Sequence, residues 1–182
     1  MRRLTALAAI AFAMAPYAIS AETQPYAGFE ARSIKALSDQ QIADLRAGRG
    51  MGLALAAELN GYPGPTHVLE LAEPLGLSAE QRAKVQELLS AMRAETVPLG
   101  EKLIAQETDL ERLFAGKTIT PASLASTTQA IGATHAALRA AHLKYHLATV
   151  EVLAPTQIQR YAELRGYAGG LQPKQIHGGH QH

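Results

Sequence analysis

The sequence predicts an all-α protein built on a long antiparallel helical hairpin with short flanking helices. Strong helix formers, mainly Ala, Leu, Glu, Gln and Arg, dominate the 182 residues, and no stretch shows the period-two alternation of a half-buried strand. Two long segments carry apolar residues spaced alternately by four and three positions. Only a few residues separate these segments, so we expect the two helices to lie side by side.

The first 21 residues have the pattern of a cleavable signal peptide. Arg2 and Arg3 precede an apolar run from Leu4 to Ala15, and small residues at 18–21 suit signal peptidase. We predict cleavage after Ala21 and a periplasmic mature chain; the alternative is an uncleaved membrane anchor. No second long apolar segment follows, so we expect no membrane span in the mature protein.

Residues 22–65 are predicted to form an N-terminal helical extension. Ser38 and Gln41 have the form of a capping box and should open a helix that runs to about Leu59. Three glycines, at 48, 50 and 52, should weaken this helix or let another element approach closely. Residues 60–65, Asn-Gly-Tyr-Pro-Gly-Pro, end it as a turn.

Residues 66–166 are predicted to form the hairpin domain. A short helix from Thr66 to about Leu75 comes first and carries His67 and Glu70 in its first turn. Ser78 and Gln81 then cap a helix over 79–115. Its 4-3-4-3 seam consists of Val85, Leu89, Met92, Thr96, Leu99, Leu103, Gln106, Leu110 and Leu113. Pro98 should kink or split this helix, and Gly116 should end it as the residue after the C-cap.

The returning helix begins with Thr120 as its cap and Pro121 in its first turn. Its seam is Leu124, Thr128, Ile131, His135, Leu138, His142, Tyr145, Thr149 and Val152. A last short helix should cover about 155–165. Residues 167–182 are predicted to be a disordered tail with histidines at 177, 180 and 182.

His142 and His146 are the strongest candidates for a functional site. Four residues apart on one helix, they share a face and can bring two ring nitrogens to one ion, as zinc, nickel, cobalt or copper(II) prefer. His67 and Glu70 are candidates to complete the site if their helix packs near the end of the hairpin. The alternative is that His142 and His146 are ordinary buried residues of the seam.

The remaining histidines allow two interpretations each. His135 occupies a seam position, where it is either a packed core residue or marks a place where the interface opens to water. The three tail histidines either bind metal loosely or belong to a plain spacer, because a flexible chelator loses chain entropy on binding.

Composition excludes several classes of function. Removing Arg2 and Arg3 leaves 15 basic against 16 acidic side chains, and no basic patch remains to favour nucleic acid as a partner. The absence of cysteine excludes disulfides and thiolate metal sites. Neither a nucleophile elbow nor a phosphate-binding glycine loop is present, so we expect neither an enzyme nor an organic cofactor.

Two short motifs flank the predicted hairpin. Residues 77–81 read Leu-Ser-Ala-Glu-Gln and residues 153–157 read Leu-Ala-Pro-Thr-Gln. In this paired Leu-(Ser/Thr)-x-x-Gln arrangement, residues 66–165 resemble the Spy/CpxP family of periplasmic chaperones, stress regulators and heavy-metal sensors, with CnrX and ZraP as relatives. The second copy departs from the pattern, because Ala154 cannot cap through its side chain, at a cost of roughly 1 kcal/mol.

The resemblance implies a role and a set of ligands. Metal-sensing members bind the ion through a His-x-x-x-Met or similar pair near the end of the last long helix, which matches His142 and His146 here, with His67 and Glu70 resembling the earlier contribution. The resemblance also implies a homodimer, with unfolded client proteins or a signalling partner as further partners. We therefore expect a divalent metal sensor or buffer; the alternatives are a metal-independent chaperone and a structural envelope protein.

Overall fold

The computed structural model describes residues 25–167, and these residues form helices and turns with no strand. The predicted signal peptide and nearly all of the predicted tail lie outside the described residues. The α-helices are α1 Asp39–Arg46, α2 Leu55–Glu58, α3 Pro65–Glu70, α4 Ala79–Ala115, α5 Pro121–Val150 and α6 Pro155–Leu164, and a 3-10 helix covers Phe29–Ala31. The predicted all-α class is confirmed. No helix within 25–167 is long and apolar enough to cross a membrane.

The long hairpin consists of α4 and α5, which pack along each other. Capping boxes begin both helices: the Ser78 hydroxyl accepts from the Gln81 N–H, and the Thr120 hydroxyl accepts from the Ser123 N–H, each at 3.1 Å. At the tip, Gly116 keeps an ordinary φ of −79°, and it is Lys117 that takes the left-handed conformation at φ 53°. The predicted end of α4 is therefore confirmed, but Gly116 is the C-cap itself, and the residue after the C-cap is Lys117 and not Gly116 as predicted.

Pro98 does not split α4, which continues as one helix for 37 residues. Because its ring only removes one N–H and crowds one turn, packing along the rest of the helix outweighs this local cost of about 3 kcal/mol. The seam prediction holds best in the half of the hairpin near α3 and α6. There Val85, Leu89, Met92 and Thr96 are buried, whereas Leu124 and Thr128 near the tip are exposed.

The predicted helix over 38–59 is interrupted. The structure has α1, a turn segment over 47–54 and the short α2 in its place. Gly48, Met51 and Gly52 all take positive φ values, which are incompatible with a continuous right-handed helix. Gly100 of α4 lets α1 approach closely: a Cβ there would lie 2.5 Å from the Leu45 carbonyl oxygen.

Two hydrophobic clusters hold the fold. One joins α1 to the middle of the hairpin through Ile34, Leu37, Leu45, Leu103, Ile104, Ile131 and Leu138. The other joins α3 and α6 to the base of the hairpin through Val68, Leu75, Val85, Leu153 and Tyr161. Tyr167, predicted as the first tail residue, packs against this second cluster.

The two motif glutamines contact each other, and we call this pair the glutamine clasp. Gln81 donates its amide N–H to the Gln157 side-chain oxygen at 2.8 Å, and Gln157 donates in return at 3.0 Å. Gln81 also donates to the Val152 carbonyl at 2.9 Å. Its side-chain oxygen accepts from the Ser78 N–H, as predicted, and Gln157 accepts likewise from the Ala154 N–H. The clasp therefore joins the starts of α4 and α6.

Candidate metal centre

His142 and His146 of α5 line a small cavity of about 160 Å³, which we call the histidine pocket. The turn before α2, the start of α3 and one residue of α4 supply its other walls. Its remaining lining residues are Gly50, Met51, Gly52, Ala54, Leu55, Glu58, Gly64, Pro65, Thr66, His67 and Met92. The helical spacing of the two histidines therefore places both of them at the same pocket.

His142 is 2% exposed, and its Nε2 is buried without a hydrogen-bond partner among the described residues. A buried polar atom of this kind costs free energy unless something binds it. Burial, and then the neighbouring His146, lower the pKa of His142, so its ring is neutral at pH 7. A neutral imidazole with an unused ring nitrogen has the chemistry that a borderline transition metal requires.

His146 is 7% exposed and is oriented through its other ring nitrogen. Its Nδ1 lies 2.6 Å from the Tyr62 carbonyl oxygen, so Nδ1 carries the proton and donates. That hydrogen bond leaves the lone pair on Nε2. Metal-ligating histidines are commonly fixed in this way, with the second nitrogen bound to a carbonyl or carboxylate.

Glycine leaves the space beside both rings. A Cβ at Gly64 would lie 2.7 Å from both Cε1 and Nε2 of His146, and a Cβ at Gly50 would lie 3.6 Å from Nδ1 of His142. Gly64 has φ −87° and ψ 152°, which other residues adopt readily. Glycine at position 64 is therefore required to leave space next to Nε2 of His146, and it is not required by the backbone conformation.

Of the two further predicted ligands, His67 lines the histidine pocket and Glu70 does not. His67 is half-buried, but its Nδ1 lies 2.8 Å from Oε2 of the exposed Glu70. Glu70 itself borders an adjoining surface groove that shares His67 as a wall. His135 is exposed on α5 and does not line the pocket, so its alternative as a packed core residue is wrong.

Glu58 is the pocket residue that the sequence analysis missed. It is 7% exposed, and its Oε2 lies 3.7 Å from Nδ1 of His146 and accepts the Gly64 N–H at 3.3 Å. On the other side, its Oε1 accepts from the Tyr161 hydroxyl of α6. Ala54, Ala57 and Glu58 are buried while Leu55 of α2 and Leu59 at its C-cap are exposed, the reverse of ordinary amphipathic order.

Tyr161 is the donor that compensates the buried carboxylate. Burial, and then its hydrogen bond to Glu58, raise the pKa of Tyr161, so its hydroxyl keeps its proton and donates. Within residues 25–167, no group of three or more His, Asp or Glu side chains converges on a single point as metal ligands do. The pocket is thus lined by two imidazole rings one helical turn apart, with further donors at its rim.

Comparison with known families agrees with the fold and the motifs. The model of a family described as heavy-metal resistance matches residues 50–160, which include α2 to α5, the histidine pocket and both motif glutamines. Neither a curated protein nor a solved structure matches the chain. The match covers more than half of the sequence, and it includes the segment that resembles Spy/CpxP proteins. The chain therefore belongs to the heavy-metal resistance family, the group of Spy/CpxP/ZraP-like helical proteins.

Proposed function

We propose that this chain is an exported binding protein that holds a divalent transition metal in the histidine pocket, for sensing or buffering in envelope stress or metal resistance. The observation that carries this proposal is the unpartnered Nε2 of His142, one helical turn from His146 with its own Nε2 left free. Membership of a heavy-metal resistance family supports the same reading. The predicted signal peptide supports a periplasmic location.

In this proposal His142 and His146 are the principal ligands, each through Nε2. His67 is supplementary, because its ring lines the same pocket, and Glu70 acts at the rim through its contact with His67. Imidazole nitrogens in a neutral state favour zinc, nickel, cobalt or copper(II) over hard ions such as magnesium. A bound metal would accept lone pairs from the two ring nitrogens, and the chain would supply the orientation of both rings.

The test removes the pocket histidines while silencing the tail. A tail-silenced protein carries His177→Gln, His180→Gln and His182→Gln, so that binding through these three histidines is removed. Isothermal titration with zinc, nickel and copper is expected to give one site per chain. His142→Ala with His146→Ala is expected to abolish it, whereas His135→Ala, on the same helix but outside the pocket, is a matched control that leaves it unchanged. Equal binding in the double variant would remove the proposed site.

A second candidate function is the holding of unfolded clients without metal. Four large apolar side chains within twelve residues, Met51, Leu55, Leu59 and Tyr62, are between 40% and 53% exposed. Exposed apolar surface of this kind is suited to contact with a partner chain. Suppression of aggregation of a denatured client, equal with and without a chelator and lost in Leu55→Ser with Leu59→Ser, would support this candidate.

We further propose that the chain is a homodimer, since Leu124 and Leu147 of α5 are exposed along the hairpin. Light scattering coupled to size exclusion gives the mass directly. A monomer at micromolar concentration would contradict this part of the proposal.

A further inference from the structure

The carboxylate of Glu58 connects the histidine pocket to the C-terminal helix. One of its oxygens faces α5 and the start of α3, where it lies 3.7 Å from Nδ1 of His146 and accepts the Gly64 N–H. The other oxygen faces the C-terminal segment, where it accepts from the Tyr161 hydroxyl. A single rigid group of atoms thus contacts a proposed metal ligand on one side and α6 on the other.

Residues 161–167 supply most of the hydrogen-bond donors and the positive charge that compensate the buried Glu58 carboxylate. Tyr161 is 2% exposed and donates directly; the Tyr167 hydroxyl lies 3.4 Å from the same oxygen, and the Arg165 guanidinium lies 3.8 Å away. A carboxylate in a protein interior is costly unless hydrogen bonds and opposite charge compensate it. With α6 undocked, Glu58 would lose these donors and would turn toward water, away from His146.

The orientation of the His146 ring depends on the groups around its Nδ1. That nitrogen donates to the Tyr62 carbonyl, and the Oε2 of Glu58 adds negative charge nearby. A carboxylate on this side of a ligating imidazole helps to fix the ring orientation, and loss of a partner that orients such a ring typically lowers metal affinity about 10- to 100-fold. Glu58 is therefore placed to influence Nε2 without contacting an ion bound there.

We propose that Glu58 is a positioning residue for the histidine pocket and that Tyr161 holds it in place, so that metal binding and docking of α6 strengthen each other. This inference rests on the proposed metal site. Binding free energies are reciprocal: if docked α6 raises the affinity for metal by a given factor, bound metal favours docked α6 by the same factor. Whether α6 is docked would then depend on whether the pocket holds a metal ion.

The first measurement is metal affinity in single-hydroxyl variants of the tail-silenced chain. Tyr161→Phe is expected to weaken nickel or zinc binding about 10- to 100-fold. Tyr145→Phe is the matched control: its hydroxyl donates to Glu95 at 3.2 Å, outside the pocket, so affinity is expected to stay unchanged. Glu58→Gln, which keeps the shape of the side chain, is expected to weaken binding and serves as the alternative if Tyr161→Phe does not fold.

The second measurement distinguishes coupling from plain destabilisation. Since Tyr161 acts through Glu58, the double variant Glu58→Gln with Tyr161→Phe is expected to bind no more weakly than Glu58→Gln alone. Amide hydrogen exchange of residues 155–167 is expected to slow on adding metal to the starting protein and to show no such change in Tyr161→Phe.

The outcomes separate the two proposals. If the starting protein binds metal, but Tyr161→Phe binds equally well and metal leaves exchange in 155–167 unchanged, the coupling is refuted and the metal site stands. Additive losses in the double variant would likewise refute it. If the starting protein binds no metal, the proposed function fails, and the coupling fails with it.

Discussion

Gly64→Ala tests whether the space beside His146 is needed for metal binding. The added Cβ would lie 2.7 Å from Cε1 and Nε2 of the ring, whereas ordinary contact begins at 3.4 Å. The ring or the backbone must therefore move by at least 0.3 Å to reach the 3.0 Å that Cβ atoms essentially never undercut, and by 0.7 Å to reach ordinary contact. Metal–ligand distances tolerate only about 0.2 Å, so His146 can no longer ligate in place. We expect an affinity loss of about tenfold or more, similar to the loss of an orienting partner.

The same substitution has a separate effect on folding. Crowding of a packed interior costs about 1–3 kcal/mol. Replacing glycine at a backbone conformation that alanine adopts recovers about 0.4–1 kcal/mol by restricting the unfolded chain. The metal-free Gly64→Ala protein is thus expected to be slightly less stable, but folded, in urea denaturation followed by circular dichroism.

Two alanine variants control the measurement. Gly132 of α5 has open space around its missing Cβ, so Gly132→Ala is expected to keep metal affinity and to stabilise the helix by about 1 kcal/mol. Gly50→Ala places a Cβ at an ordinary 3.6 Å from His142 and is expected to be tolerated. The argument is refuted if titration calorimetry on the tail-silenced chain finds equal affinity for Gly64→Ala and Gly132→Ala.

Three further predictions concern the metal-free protein. Because burial lowers the pKa of His142, the unfolded chain takes up a proton before the folded one on acidification, so the free energy of unfolding should fall as the pH drops below about 6.5. The fall should be smaller in His142→Gln. Urea titrations of both proteins at pH 7.5 and 5.5 measure this difference. Gly100→Ala should lower stability by about 1–3 kcal/mol, because its Cβ would meet the Leu45 carbonyl; a raised thermal midpoint would contradict the close approach of α1. Gln157→Ala should cost about 1–3 kcal/mol by removing the hydrogen bonds of Gln157 to Gln81 and to the Ala154 N–H, and an unchanged urea midpoint would show that the clasp adds nothing.

Much of the fold could be predicted because its signals are local. The capping box at Ser78, the cap at Thr120 with Pro121 after it, and the 4-3-4-3 spacing are read directly from neighbouring residues, and they predicted the bounds of α4 and α5 closely. The break after α1 was harder, because a glycine permits a positive φ without requiring one. Gly48 takes that conformation only because packing against Thr96 and Val97 of α4 selects it, and this is tertiary information.

The candidate metal site, like the fold, could be predicted from the sequence only in part. His142 and His146 follow from helical periodicity, so their common surface could be predicted. The contribution of Glu58 could not, because its partners Tyr161 and Gly64 come from different parts of the chain, one of them 103 residues away. Nor could the sequence show that the ring of His67 lines the pocket while Glu70 stays in the neighbouring groove, since both depend on how α3 lies against α5.

The glutamine clasp has a consequence for the order of folding events. Its two residues are 76 positions apart, so they can meet only after the long hairpin has closed and α6 has folded back. Contacts that form after the rate-limiting barrier leave the rate of folding unchanged and slow the rate of unfolding. Because the clasp closes late, it is expected to slow unfolding and so to prolong the lifetime of the folded chain.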